Sequence, residues 1–193
     1  MPVTRPTSAS AVLSSNAGSP DPVIHGLVAK VDASESAALA FSYTLIGDIH
    51  RLLIPVAAAP MHVVGLWRHT CFEAFLGVKG SAGYYEFNFS PSCEWAVYSF
   101  RSYRDGAPVD DERLSPEIVV RREVGMIEVD AVVHLDRLAA ILPGARLRLG
   151  LSAVIEDNDG KLSYWALKHP ADKPDFHHPD SFTLELALPE RSA

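Results

Sequence analysis

Tyr85, Phe87 and Phe89 alternate with Glu86 and Asn88 in YYEFNFSPS, residues 84 to 92, a two-residue period that marks a β-strand with one apolar face. The same period recurs along the chain. Leu39, Phe41, Tyr43 and Leu45 alternate with Ala40, Ser42 and Thr44, and Ile127, Val129, Ala131 and Val133 alternate with Glu128 and Asp130. In RLRLGLSAVI, residues 146 to 155, Leu147, Leu149, Leu151, Ala153 and Ile155 all fall on one side. Wound as helices, these segments would scatter their apolar positions around the circumference instead of gathering them.

Between these runs the punctuation fits sheet. Residues 24–31 read as a first strand, Gly47 and Asp48 as a turn, and Pro55 to Pro60 as a loop enclosing three alanines. LWRHTCFEAFLG, residues 66 to 77, reads as a tryptophan-led loop feeding a hairpin of 70–77 against 84–90, centred near 80 and 81. That register sets Cys71 near Ser90 and leaves Cys93, past the SPSC turn, out of its reach. DGAPVDDERLSP, residues 105 to 116, reads as a polar loop, strands resume at 117–123 and 126–133, and Asp157 to Gly160 turns a second hairpin into LSYWALKH. FTLELAL at 182–188 supplies a last strand, and only LDRLAAIL at 135–142 has helical spacing, before Pro143 and Gly144 stop it. The expectation is an all-β chain, an antiparallel β-sandwich with one short helix, in one domain over residues 23–193. Residues 1–22, with four prolines and five serines, read as a disordered leader.

A net charge of -7, from 24 acids against 17 bases, leaves no basic stripe to track a phosphate backbone, so nucleic acid is excluded as a partner. Tyr98, Phe100, Arg101, Tyr103 and Arg104 read as a strand end with solvated arginines. No apolar run approaches the ~20 residues that span a bilayer. Two cysteines are too few for a disulfide framework, and the leader lacks the apolar stretch of a signal peptide, so the expected location is cytoplasmic.

The motifs of nucleotide binding and of serine or thiol nucleophiles are absent. HPADKPDFHHPD, residues 169 to 180, holds His169, Asp175, His177, His178 and Asp180, all competent metal ligands. Adjacent side chains of an extended segment point opposite ways, so His177 and His178 are expected to cap a surface loop, and no metal is expected. DNDG at 157 to 160 opens like a calcium loop, but Lys168 stands where the bidentate glutamate belongs. Glu73 and Glu86 on neighbouring strands could serve glycoside hydrolysis, which needs two carboxylates roughly 5 to 9.5 Å apart; two solvated or hydrogen-bonding glutamates are the commoner outcome of such a pattern.

An indole offers a flat apolar face to sugar C–H bonds or to a porphyrin, which draws attention to Trp67 and Trp165, whereas Trp95 reads as core. Trp165 faces away from Tyr164 and Ala166, and which of those faces is the core is left open. Trp67, Arg68, His69, Glu73, Glu86, Asn88, Trp165, His169 and His177 are the candidate ligand-binding residues.

LWRHTCFEAFLG, YYEFNFSPS and the late YWALKHP followed by DFHHPDSF resemble the DOMON-like superfamily, in particular bacterial DOMON-like proteins akin to type 9 carbohydrate-binding modules, over residues 24–188. The resemblance implies a β-sandwich whose concave side binds a sugar or heme without chemistry of its own. In the sugar-binding branch two aromatic rings sandwich a saccharide, roles that fall to Trp67 and Trp165, with Glu73 among the hydrogen-bonding groups. The calcium-ligand acids of that branch are not evident around the hairpin, and Cys93 stands where a turn glycine is usual. In the heme branch the iron takes a Met with a His or Lys, which here means Met61 with His169 or Lys168. A saccharide-binding module without a cofactor is the first expectation and a heme-binding electron-transfer domain the alternative.

Overall fold

The computed structural model describes residues 7–19, 22–33 and 38–190. Two sheets pack face to face, and every ladder between their strands is antiparallel. The five-stranded sheet is built from β1 (Ser8–Val12), β3 (Ile24–Asp32), β4 (Ala38–Gly47), β10 (Met126–His134) and β9 (Glu117–Glu123), side by side in that order. The eight-stranded sheet runs β2 (Ser14–Ser15), β12 (Leu162–Ala166), β11 (Arg146–Glu156), β5 (Cys71–Val78), β6 (Tyr84–Phe89), β7 (Trp95–Ser102) and β8 (Asp105–Pro108), with β13 (Leu184–Ala187) pairing the first part of β11. The chain is a β-sandwich, as the alternation requires.

The core lies between the sheets and is filled by the apolar parity of each strand. Leu27, Val31, Phe41 and Val129 from one side meet Phe72, Phe87, Phe89, Trp95, Leu149 and Ile155 from the other, all fully or almost fully withdrawn from solvent. Burying each large side chain contributes about 1.5–3 kcal/mol. Tyr43 crosses this layer. Its phenol donates to the backbone oxygen of Glu73 (2.7 Å), so the inner core holds β5 directly beneath one of the acids.

The β5–β6 hairpin pairs Phe72 with Phe89 and Gly77 with Tyr84, which brings Cys71 to the level of Ser90, as its spacing predicts. Cys93 closes the next turn in the left-handed region (φ 74°), a conformation that favours glycine.

Three segments differ from expectation. Residues 8–15, placed in a disordered leader, include β1 on the edge of β3 and β2 on the edge of β12, with Leu13 buried between them. Edge pairing needs main-chain groups rather than apolar side chains, so a serine-rich segment can supply it. The helix expected over residues 135–142 is one 3-10 turn, Leu135–Arg137, followed by a further i to i+3 bond from Ile141 to Leu138. Eight residues ahead of Pro143 are too few to offset helix nucleation, and the core draws in Leu138 and Ile141 instead. No α-helix occurs among the described residues. The polar loop expected at 105–116 opens with β8, which hairpins back onto β7 through Tyr103 and Arg104.

Candidate functional site

The outer face of the eight-stranded sheet does not turn polar and solvated as an antiparallel sheet's second face commonly does. β5 is buried on both faces, from Cys71 through Gly77. Register fixes what that face holds. One row across the sheet reads Ala166, Ser152, Glu73, Asn88, Ala96, and the next reads Gly150, Phe75, Glu86, Tyr98, Pro108. Glu73 and Glu86 are therefore diagonal neighbours on adjacent strands, and small residues around them keep the floor low. The result is a hollow of about 430 Å³. Glu73 and Glu86 form its floor, Tyr98 and Phe100 one wall, and Tyr164, Phe176 and Pro174 another, with Trp67, Arg104 and His177 also lining it.

The wall over β12 and β11 comes from the segment after β12, and a clasp holds it down. Arg104 sits in the left-handed region (φ 54°) at the β7–β8 turn, and its guanidinium reaches Asp175 at 2.8 Å. The Tyr103 phenol donates to the other Asp175 oxygen at 2.7 Å, and the Ser181 hydroxyl donates to the Asp175 backbone oxygen at 3.2 Å. His177 is thereby laid against Phe75 and Phe100, edge-on, with ring centroids 5.2 and 5.0 Å away.

The floor is electrostatically unusual. Glu73 is 3% exposed and Glu86 5%, and neither has a full complement of donors. Ser152 donates to Glu73 at 3.3 Å, and the Asn88 amide donates to Glu86 at 2.7 Å. Burial raises the Glu73 carboxyl well above the ordinary carboxylate range, the nearby charge of Glu86 adds to this, and the Ser152 bond opposes it. Burial also pushes Glu86 up, to about 7, against the pull of the Asn88 bond and the Arg104 charge. His177 moves the other way, to about 4, because burial and the Arg104 charge outweigh Asp175. At neutral pH its imidazole is uncharged, so the 3.6 Å approach of Nε2 to Glu86 is not an ion pair. The Arg104 backbone N–H donates to the Tyr84 phenol oxygen (3.2 Å), and the same phenol is hydrogen-bonded to His177 Nδ1 at 2.9 Å.

Four of the nine candidate residues line the hollow: Trp67, Glu73, Glu86 and His177. Asn88 lies in the floor beneath, wholly buried. Trp165 does not. It is 8% exposed, packs within the inter-sheet core, and donates its indole N–H to Ser163 at 3.1 Å. The other face of β12 meets the hollow, so Tyr164 stands where a second ring was expected. Trp67, 46% exposed on the 3-10 turn Leu66–Arg68, holds the rim, with the Arg68 guanidinium 5.2 Å from its ring centre. His69 leaves the hollow to bond Glu156 at 2.7 Å, and His169 bonds the Ser14 backbone oxygen at 2.8 Å. Of the two ordinary outcomes for the glutamates, solvated or hydrogen-bonding, the structure shows the second: both are buried, Glu73 bonded by Ser152 and Glu86 by Asn88.

Met61 is half exposed ahead of the Trp67 turn, and neither it nor Lys168 nor His169 lines the hollow, so the heme alternative finds no support. His178 accepts from the Asp180 backbone N–H (3.2 Å) and caps the turn Pro179–Ser181, whereas His177 lines the hollow. No group of three or more His, Cys, Asp or Glu is gathered to hold a metal among the described residues.

Sequence reasoning passed over Tyr98, Phe100 and Arg104, set aside as a solvated strand end, and over Phe176. Once Glu86 is placed outward, the β6–β7 turn puts Tyr98 on the same face, so parity carried through that turn marks both Tyr98 and Phe100.

No protein-family model matches the chain, and no curated protein matches it significantly. Among solved structures it is similar to a candidate carbohydrate-binding protein from Bacteroides uniformis, with a TM-score of 0.69 and 13% identity over 93% of this chain and 86% of that one. A family 9 carbohydrate-binding module from Caldicellulosiruptor kristjanssonii also aligns with 93% of this chain. Its glucose complex gives 12% identity over 86% of that chain and its cellotriose complex 13% over 84%, both with a TM-score of 0.49. At these identities the likeness is one of fold.

Proposed function

We propose that this chain is a non-catalytic binding module whose hollow takes a saccharide or a related polar metabolite, in keeping with its resemblance to DOMON-like proteins. The observation that carries this is the pairing of buried, incompletely bonded carboxylates at the floor with aromatic walls. Tyr98, Phe100, Tyr164 and Phe176 offer apolar surface to C–H groups, while Glu73 and Glu86 accept from hydroxyls. Unpaired buried acceptors discriminate strongly for a ligand that can satisfy them. The fold shared with the Bacteroides protein supports the same reading, since that protein is itself a candidate for carbohydrate binding.

Three tryptophans are present, and Trp95 and Trp165 are buried, so a ligand entering the hollow is expected to change the emission of Trp67. Titration with a panel of neutral and charged sugars, read by fluorescence and by melting temperature, tests this. Saturable quenching with a rise in melting temperature is the expected result. Silence across the panel at millimolar ligand, with the protein folded, would refute it. Aryl glycosides are expected to show no turnover.

A further inference from the structure

Hydrogen-bond accounting in the floor comes out lopsided. An ionised carboxylate offers about four acceptor sites, yet Glu73 receives only the Ser152 hydroxyl and Glu86 only the Asn88 amide among the side-chain bonds described. The Asn88 amide oxygen, on the same face and wholly buried, has no partner among the described residues. The Cys71 thiol is turned to the Phe72 backbone oxygen (3.5 Å), and His177 Nε2 stops 3.6 Å short of Glu86. The floor thus lacks the donors that would let the pair ionise, and burial keeps both acids protonated instead.

Charge is lopsided in the same sense. From β5 the ionisable groups facing the floor are Cys71 and Glu73, and from β6 they are Tyr84 and Glu86. β7 adds Tyr98 and β12 adds Tyr164. β11 contributes no acid or base to the two floor rows, and Arg148, one row on, sends its guanidinium to the Phe182 ring at 5.9 Å. From the β7–β8 turn and the clasped segment come Arg104, Asp175 and His177. Arg104 is engaged by Asp175, and His177 is uncharged at neutral pH. Two buried acids thus face a cavity without a cation of their own.

Building on the saccharide reading, we propose that the hollow selects a saccharide bearing a protonated amine, whose ammonium settles over Glu73 and Glu86 and supplies both the donors and the positive charge that the floor lacks. A neutral sugar can bond to the protonated acids through its hydroxyls but brings no charge to offset the repulsion that ionising both would create. An ammonium offsets that repulsion, so both carboxyls can ionise when the ligand binds. Binding therefore expels protons from the floor.

Calorimetric titration of the full chain with D-glucosamine, N-acetyl-D-glucosamine and D-glucose at pH 6, in two buffers of different ionisation heat, tests the proposal. Glucosamine is expected to bind at least tenfold more tightly than either neutral sugar and to release protons, while the neutral sugars release none. Equal or weaker glucosamine binding overturns this inference and leaves the saccharide reading intact. No binding by any of the three at millimolar concentration defeats both. E86Q and E73Q, shown folded by circular dichroism, are each expected to bring the glucosamine preference down towards unity. A tenfold preference that survives in both variants overturns the assignment of the ammonium to this pair.

Discussion

On β5 and β6, Phe72, Ala74, Phe87 and Phe89 face inward while Glu73, Glu86 and Asn88 face outward, and both sets are withdrawn from solvent to a similar degree. Burial on the inner face is driven by apolar area and is returned as stability. On the outer face it costs, because carboxyls leave water without enough partners. A protein keeps such an arrangement where something other than stability is served. The difference between the faces therefore locates the site better than exposure does, since the most exposed tryptophan and the most buried acids belong to the same hollow.

The largest test of that contrast is on the inner face. Trp165→Ala is expected to lower the free energy of unfolding by about 3–5 kcal/mol, the usual range for removing a buried aromatic, because its indole belongs to the inter-sheet core. Urea unfolding measures this, and ligand affinity per folded molecule is expected to stay near wild type. A stable Trp165→Ala protein that no longer binds would erase the distinction between the faces.

The next effect depends on pH and has the reverse of the usual sign for a glutamate. Glu86 holds its proton in the folded protein up to about 7 and loses it near 4.5 when unfolded. The folded state therefore binds more protons between those values, and stability falls as pH rises from 4.5 to 7. At 1.36 kcal/mol per unit this is on the order of 3 kcal/mol. His177, depressed to about 4, works against it on the acid side, where stability falls as pH drops from 6.5 towards 4. Glu86→Gln keeps the shape of the side chain and removes the first slope. The variant is expected to be more stable than wild type at pH 8 and to have its stability maximum at higher pH, as urea titrations at pH 4.5, 6 and 8 would show. An unchanged profile would mean that the acid is not held protonated by the fold.

The smallest expected change in stability comes from the rim. Trp67→Ala is expected to shift unfolding free energy by no more than about 0.5 kcal/mol, as exposed positions do, given its 46% exposure. Ligand affinity is expected to drop by about tenfold, which corresponds to 1.4 kcal/mol. Equilibrium unfolding and the sugar titration, run on one preparation, separate the two. A large loss of stability with intact binding would make Trp67 a packing residue.

Much of the frame was legible in the chain. Alternation located most of the longer strands, the spacing about residues 80 and 81 set the hairpin register, and Glu73, Glu86 and Asn88 were picked out as an outward set. The N-terminal strands were not legible, because edge pairing through main-chain groups leaves little mark on side-chain composition. Nor was the second ring, because a period of two fixes which residues of β12 share a face without saying which face the core takes. Trp165 is larger and more apolar than Tyr164, and the core took it.

What the sequence by itself determined is local: where strands run, where they turn, and which side chains travel together, because these follow from backbone geometry and short-range periodicity. Only the tertiary structure decided that the outer face of the eight-stranded sheet would be covered. That cover depends on Asp175 meeting Tyr103 and Arg104, 72 and 71 residues away in the chain. The same long-range closure withdraws Glu86 and His177 from water and shifts their protonation, and no pattern read along the chain encodes a distance across it.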